Sequence, residues 1–360
     1  MKRITLFLLG LLLALLFVAC QAADSSTKEP SPPVPDSTSG VTSVTSSAKE
    51  TTEATTEADT TYEEIFYDTT PITGEVGTPY LLNWNPYLLS PAIPAEYEGA
   101  FHEAIRAILN RRLTVTFSTR EELLAVKDNL FYEFPPSALA DLTADENTLT
   151  LHFAYCYDRA EHLDKLAAFK ETVEERISRC LQSGDDEAEK AILLYHEISH
   201  TVDYIKIDYQ PRQTNAYYAL MNNLAICYSF SDAYNYLLRQ VGVEAWLVKG
   251  HRATDKAPHG WSLIKVNGSY YHCDTTWESS FCDGVGFYYF AMNDKRRQSA
   301  IALSEATIGD GILKTSLTFS ANGTQFETMS GDKYHTNTWT IDRDRRVLYY
   351  NGKEYSYDNT

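Results

Sequence analysis

The chain has 360 residues, 44% of them hydrophobic and 12% aromatic, which excludes a wholly disordered or collagen-like polymer and leaves enough apolar sequence for one large core or two smaller ones. A formal charge of −18 and a pI near 4.9 argue against nucleic acid as a partner, because binding phosphates takes clustered lysine and arginine. Six cysteines are too few and too scattered for a disulfide scaffold, so the fold rests on its apolar interior.

The chain opens on Lys2 and Arg3, followed by an almost unbroken apolar run over residues 4–18. That run is too short to span a bilayer and reads as a targeting signal. It ends in Phe17-Val18-Ala19-Cys20, which resembles a bacterial lipobox with Phe17 where Leu is usual. The resemblance implies cleavage after residue 19 and acylation of Cys20, which would anchor the protein to a bacterial membrane outside the cytoplasm. An ordinary secretory signal would export the chain without that anchor. Residues 20–61 are rich in Ser, Thr, Pro and Glu with almost no large apolar side chain. Such a segment cannot offset its ordering entropy and reads as a tether.

Residues 62–180 alternate helix and strand patterns. Phe101, Ile105 and Ile108 share one face of a helix over 96–111, and 113–117 reads as a strand. Ser118 with Glu121 three residues later predicts the next helix start through a capping box. Residues 148–155 alternate as a strand, and 163–181 form a charged amphipathic helix. His102, His152 and His162 are isolated and read as structural or solvated. The next helix covers 187–204, with Ala191, Tyr195, Ile198 and Val202 on one stripe.

Phe230, Ala233, Tyr234, Leu237, Leu238 and Val241 then recur at helical spacing, with Gly242 suited to the position just past the helix end. Cys227 stands at or just before the first turn, where the positive end of the helix dipole favours the nucleophilic thiolate. Taken alone, such a cysteine is better explained as a small buried hydrophobe. Residues 244–250 read as a strand and 252–258 as a loop. Two further strands, 259–266 and 269–276, flank Asn267-Gly268, the signal of a two-residue type I′ hairpin. With Val266 opposite Ser269, Trp261 faces Asp274. His259 lies on the same face, diagonal to Asp274 at about 7 Å between Cβ atoms. A nucleophile needs a base, and the base needs a third group that fixes its tautomer. Cys227, His259 and Asp274 supply those roles in that order. His272 competes as the base from the same face; His259 is preferred because its strand follows a loop, where a catalytic group can meet substrate.

These residues resemble the transglutaminase-like superfamily: Cys227 opening a helix, His259-Gly260-Trp261, and the run from Gly268 through Tyr270-Tyr271-His272-Cys273-Asp274 to Thr276-Trp277. The likeness covers about residues 187–293, and departs from the usual pattern at Ala225 and Tyr228-Ser229. It implies an α+β fold with a papain-like, transglutaminase-like core over 181–300; the α/β region over 62–180 and the small β-rich segment over 301–360 are read from their own patterning and are not explained by the likeness. It also implies a cysteine protease or amidase without a cofactor. Cys227 would attack a peptide or isopeptide amide, His259 would protonate the leaving amine, and water or a second amine would resolve the thioester. Hydrolysis is preferred, because nothing in the sequence marks a second amine site. The oxyanion would be held by the Cys227 N–H and another donor, with Trp261, Tyr209, Gln210, Asn222 and Asn223 as candidates for oxyanion or substrate contact. The substrate would be a peptide or protein, with cell-wall peptide in view. A non-catalytic binding module on the same fold is the rival reading.

A competing motif precedes the cysteine. His196-Glu197-Ile198-Ser199-His200 satisfies H-E-x-x-H, in which two imidazoles one turn apart bind zinc and the glutamate serves as base. The extended continuation is missing, since Asp203 and Lys206 stand at its Gly and His places. A zinc protease is therefore the second alternative. Cys273 with Cys282, and Cys156 with Cys180, could pair outside the cell or stay reduced. The C-terminal segment reads as strands at 317–319, 339–341 and 347–350, with Asn322-Gly323 and Asn351-Gly352 as hairpin turns. This β appendage would pack on the core or recognise a surface polymer.

Overall fold

The computed structural model describes residues 64–205, 211–282, 286–329, 339–350 and 352–358. The signal, Cys20, all of the tether region, Tyr209, Gln210 and Asn351 lie outside the described residues. The first part runs α1 (Ala95–Leu109), β1 (Thr114–Thr116), α2 (Arg120–Glu133), β2 (Ala140–Asp145), β3 (Thr150–Tyr155) and α3 (Arg159–Cys180). The three strands form an antiparallel sheet in the order β1-β3-β2. The helical stripe of α1 is buried as its spacing requires. The start of α2 lies one residue later than expected. Thr119, not Ser118, accepts from the N–H of the third helical residue, Glu122, at 3.2 Å. Glu122 in turn takes the N–H groups of both Ser118 and Thr119, at 2.9 and 3.1 Å, and this double return is what the Ser118–Glu121 register would forgo.

Asp186 and Glu189 form a capping box that opens α4 (Glu187–Thr201). The helix stops short of Tyr204, because Asp203 and Ile205 donate their N–H groups to Asn223 and Ala225 instead. Those bonds make β4 (Asp203–Tyr204) a parallel partner of β5 (Leu224–Ala225), with α5 (Ala216–Asn222) between them. Next comes α6 (Cys227–Gln240), whose Cys227 is the first helical residue. Gly242 follows at φ +83°, as a left-handed helix stop requires.

The central sheet contains β6 (Glu244–His251), β7 (Pro258–Val266), β8 (Ser269–Cys273), β9 (Thr307–Ile308) and β10 (Thr315–Ser316), in the antiparallel order β10-β9-β6-β7-β8. Asn267 and Gly268 both have positive φ, +50° and +80°, and Val266 pairs with Ser269. The hairpin therefore has the type I′ turn and the register that the sequence predicts. Along β7 the side chains alternate between two environments. Ile264 and Val266 enter a core shared with α4 and α6, whereas Trp261 and Leu263 join a second cluster with Trp246, Val248 and Trp277.

Strand β8 ends earlier than expected. Asp274 leaves the ladder and accepts the Trp277 N–H at 3.0 Å, capping α7 (Thr275–Phe281). Helix α8 (Asp294–Arg297) follows, capped by Asn293. In the C-terminal segment β11 (Trp339–Asp342), β12 (Val347–Tyr350) and β13 (Lys353–Ser356) form an antiparallel sheet, with Gly352 at φ +73° in the second turn. Residues 317–319 are not a strand; Phe319 packs on Trp246 and Tyr270 instead. Nor is Asn322-Gly323 a hairpin turn. A Cβ on Gly323 would lie 2.2 Å from the Tyr271 ring, so the glycine serves close packing. None of the described helices is long and apolar enough to cross a membrane.

The hairpin turn sets which residues of β7 and β8 meet, and a β-branched side chain at φ +80° is strained. Replacing Gly268 by Val is expected to destabilise the protein by about 1–2 kcal/mol, lowering its melting temperature by a few degrees in calorimetry.

Candidate active site

The site forms where the start of α6 meets the start of β7. Ser229 accepts the Ile226 N–H at 2.9 Å and so satisfies one donor of the helix start. Cys227 follows directly, and its own amide is one of the N–H groups that a helix start leaves without an intrahelical acceptor. The helix is held close to the strand by small residues. A Cβ on Gly260 would lie 2.5 Å from Tyr228 Cδ1 and 3.4 Å from Tyr228 Cα, so only glycine lets the chains approach this far. Below it, Ser231 donates to the Cys227 carbonyl at 3.0 Å, and Ser262 of β7 donates to the Ser231 carbonyl at 3.4 Å. This is the structural consequence of the unusual Tyr228 and Ser229: the tyrosine covers the glycine and the serine caps the helix.

His259 donates from Nε2 to Asp274 Oδ2 at 2.7 Å. That leaves Nδ1 as the nitrogen for the sulfur, and a hydrogen bond with Cys227 contributes to the electrostatics of the ring. Cys227 is 8% exposed, His259 4% and Asp274 not at all. Burial by itself would lower the His259 pKa, but the Asp274 charge and hydrogen bond, with a smaller contribution from Cys227, raise it to about 9. Burial alone would raise the pKa of Asp274. The His259 and Arg297 charges and the Trp277 N–H outweigh it and hold the carboxyl below its usual range.

Arg297 is the component that sequence reasoning missed. It is buried, and its Nη2 donates to Asp274 Oδ2 at 2.9 Å, the same oxygen that serves His259. Its guanidinium carbon lies 4.6 Å from the Trp261 ring centre and 4.5 Å from that of Trp277. Both indoles also stack on His259, within 15° and 18° of parallel. No spacing rule connects a strand-end aspartate to an arginine on a later one-turn helix, so the sequence carried no signal for it.

His272 is not placed as the base. Its Nδ1 accepts from the Trp261 indole N–H at 3.0 Å, and its Nε2 lies 3.0 Å from Asp294 Oδ1. An indole only donates, so Nδ1 is bare, the proton sits on Nε2, and the ring is neutral; burial lowers its pKa accordingly. Trp261 is fully buried with its N–H committed, so it is not an oxyanion donor. Asn222 turns its amide back to the Tyr218 carbonyl at 3.2 Å, and Asn223 caps α5 in the left-handed region while its Oδ1 accepts from Arg176.

The zinc reading is not supported by the placement of its residues. Glu197 is engaged by Arg176 at 2.9 Å and by Arg179, so it cannot serve as the base for a metal-bound water. His196 packs against Trp339, and burial, with the neighbouring His200 charge, lowers its pKa to about 4. Among the described residues no three His, Cys, Asp or Glu side chains gather to hold a metal. Neither proposed disulfide forms. Cys273 accepts the Ala291 N–H at 3.3 Å, Cys180 donates to Glu197, and Cys156 contacts Arg212.

Residues 174–275 match the family model of the transglutaminase-like superfamily. Similar solved structures include a candidate cysteine protease from Cytophaga hutchinsonii, 16% identical over 31% of this chain and 37% of that one, with a TM-score of 0.26. Another is a TGase, 11% identical over 38% of this chain and 43% of that one, with a TM-score of 0.27. The similarity thus spans less than half the length of either structure. No curated protein matches the sequence. The fold is α+β with a transglutaminase-like core.

A pH dependence of stability follows. Because folding raises the His259 pKa from 6.5 to about 9, its stabilisation is complete below pH 6.5 and lost as the pH rises through 9. Urea denaturation at pH 6.5 and 9.5 is expected to show wild type losing about 2–3 kcal/mol more than His259→Gln over this interval. Equal losses in the two proteins would contradict the ion pair.

Proposed function

We propose, for a chain whose residues 174–275 are transglutaminase-like, that Cys227, His259 and Asp274 carry out acyl transfer from peptide or isopeptide amides, with water as the usual acceptor. The observation that carries this reading is the position of His259, which hydrogen-bonds Asp274 through Nε2 and also interacts with Cys227. A ring charged at neutral pH is what a thiolate needs beside it.

The thiolate adds to the amide carbonyl carbon, forming the S–C bond and placing the carbonyl electron pair on oxygen. The Cys227 N–H at the helix start is suited to receive that oxyanion. As the intermediate collapses, the C–N bond breaks and His259 passes its Nδ1 proton to the departing nitrogen. The neutral ring then takes a proton from water as the water oxygen attacks the thioester, and the C–S bond breaks to return the thiolate. Asp274 keeps the Nε2 hydrogen in place throughout, which presents Nδ1 to the reacting atoms in both halves. Lipid attachment at Cys20 and the tether over 20–61 would place this activity on the outer side of a bacterial membrane, within reach of exported proteins and cell-wall peptides.

Iodoacetamide labelling of the full chain at pH 6–8, followed by peptide mapping, tests the reading. Cys227 is expected to react faster than Cys156 and Cys180, and to lose that advantage in His259→Ala. In an amidase assay on denatured proteins and cell-wall peptides, Cys227→Ala is expected to lower kcat/KM by about 10³-fold or more. Slow labelling of Cys227 that is unchanged by His259→Ala would favour a non-catalytic binding module.

A further inference from the structure

We propose that Arg297 is a positioning residue of this site: by sharing Asp274 Oδ2 with His259 it keeps the buried carboxylate charged and weakens its hold on the imidazolium, so that the ring gives up its proton to the departing amine. This inference rests on the reading of His259 as the acid of amide cleavage.

The geometry carries it. Asp274 has no exposure, its Oδ1 is occupied by the Trp277 N–H at 3.0 Å, and both cations meet at Oδ2, at 2.7 and 2.9 Å. With Arg297 present, the thiolate–imidazolium state is a row of alternating charges, Cys227, His259, Asp274 and Arg297, whose sum is zero. A carboxylate shared by two cations attracts each less than it would attract one alone, and the second cation also repels the first.

The guanidinium is held there by more than the carboxylate. Trp261 and Trp277 face it at 4.6 and 4.5 Å. One turn earlier on the same helix, Asp294 binds His272 at 3.0 Å, and His272 fixes the Trp261 indole at 3.0 Å. Helix α8 therefore positions the arginine directly and one of its flanking indoles through His272. Among the described residues, other titratable groups that bear on His259 and Asp274 include Cys227 from α6, Cys273 of β8, and Tyr195 of α4, which donates to the Asp274 carbonyl at 3.2 Å.

The test is a nuclear magnetic resonance titration of the full chain labelled with 13C-histidine, the His259 signal being assigned by its loss in His259→Gln. Arg297→Gln, which retains a donor without the charge, is expected to move the His259 midpoint up by about one pH unit. Arg297→Lys, which retains the charge without the planar fork, is expected to leave the midpoint within about 0.3 units of wild type. An unchanged or lowered midpoint in Arg297→Gln, or a rise in Arg297→Lys as large as that of a neutral replacement, would overturn the assignment. The measurement needs no substrate, so its outcome is separate from that of the proposed amide chemistry. Where turnover is present, the alkaline limb of kcat/KM is expected to follow the same midpoint.

Discussion

The constraint on which the site depends is the burial of one carboxylate. An isolated aspartate with no exposure would take up a proton, because losing water costs the charged form far more than the neutral one. Asp274 avoids this through its partners: two cations on one oxygen and a backbone N–H on the other. Each partner comes from a different element, so β7, α7 and α8 must all be in place before the carboxylate can be sealed. The fully buried Trp261 and the nearly buried Trp277 follow from the same requirement. Flat, electron-rich faces are among the few apolar surfaces that a guanidinium or an imidazolium can be packed against without further loss.

The sulfur side of the site is built by a different force. Here the position comes from a close approach between α6 and β7 that two small residues allow. Gly260 lets Tyr228 lie on the strand, and Ser262 reaches the Ser231 carbonyl of the helix. The apolar stripe of α6, including Phe230, Tyr234 and Leu237, supplies the burial that presses the helix onto this face. Packing therefore sets the position of the thiol, and electrostatics sets that of the carboxylate. His259 stands at the start of β7, where the two meet.

Much of this was legible in the sequence because it depends on local rules. The Asn267-Gly268 pair has one common solution, and that solution fixes the register that brings His259 and Trp261 to one face near the end of β8. The 3.6-residue recurrence from Phe230 to Val241 placed Cys227 at a helix start. What failed were decisions between two local solutions of similar quality. Thr275, Thr276 and Trp277 all suit a strand, yet the bond from Asp274 to the Trp277 N–H turns them into a helix. Both Ser118 and Thr119 have a glutamate three residues ahead, and the pair with the additional return bond prevailed. Arg297 was illegible for another reason. It meets Asp274 across 23 residues of chain with no periodic relation to it, and a basic one-turn segment such as Asp294–Arg297 looks like solvent-exposed surface.

The boundary of the family-like segment and the boundary of the electrostatic unit do not coincide. Residues 174–275 contain Cys227, His259 and Asp274, and taken alone they carry a buried carboxylate with one cationic partner. The second partner comes from residue 297, on a helix whose placement depends on Asn293 capping it and on Asp294 reaching His272. The chain beyond the matched segment therefore belongs to the electrostatic unit, because it supplies the second cation on Asp274. A comparison restricted to Cys227, His259 and Asp274 would treat such sites as equivalent, although the acid strength of a buried imidazole depends on what stands on the far side of its carboxylate.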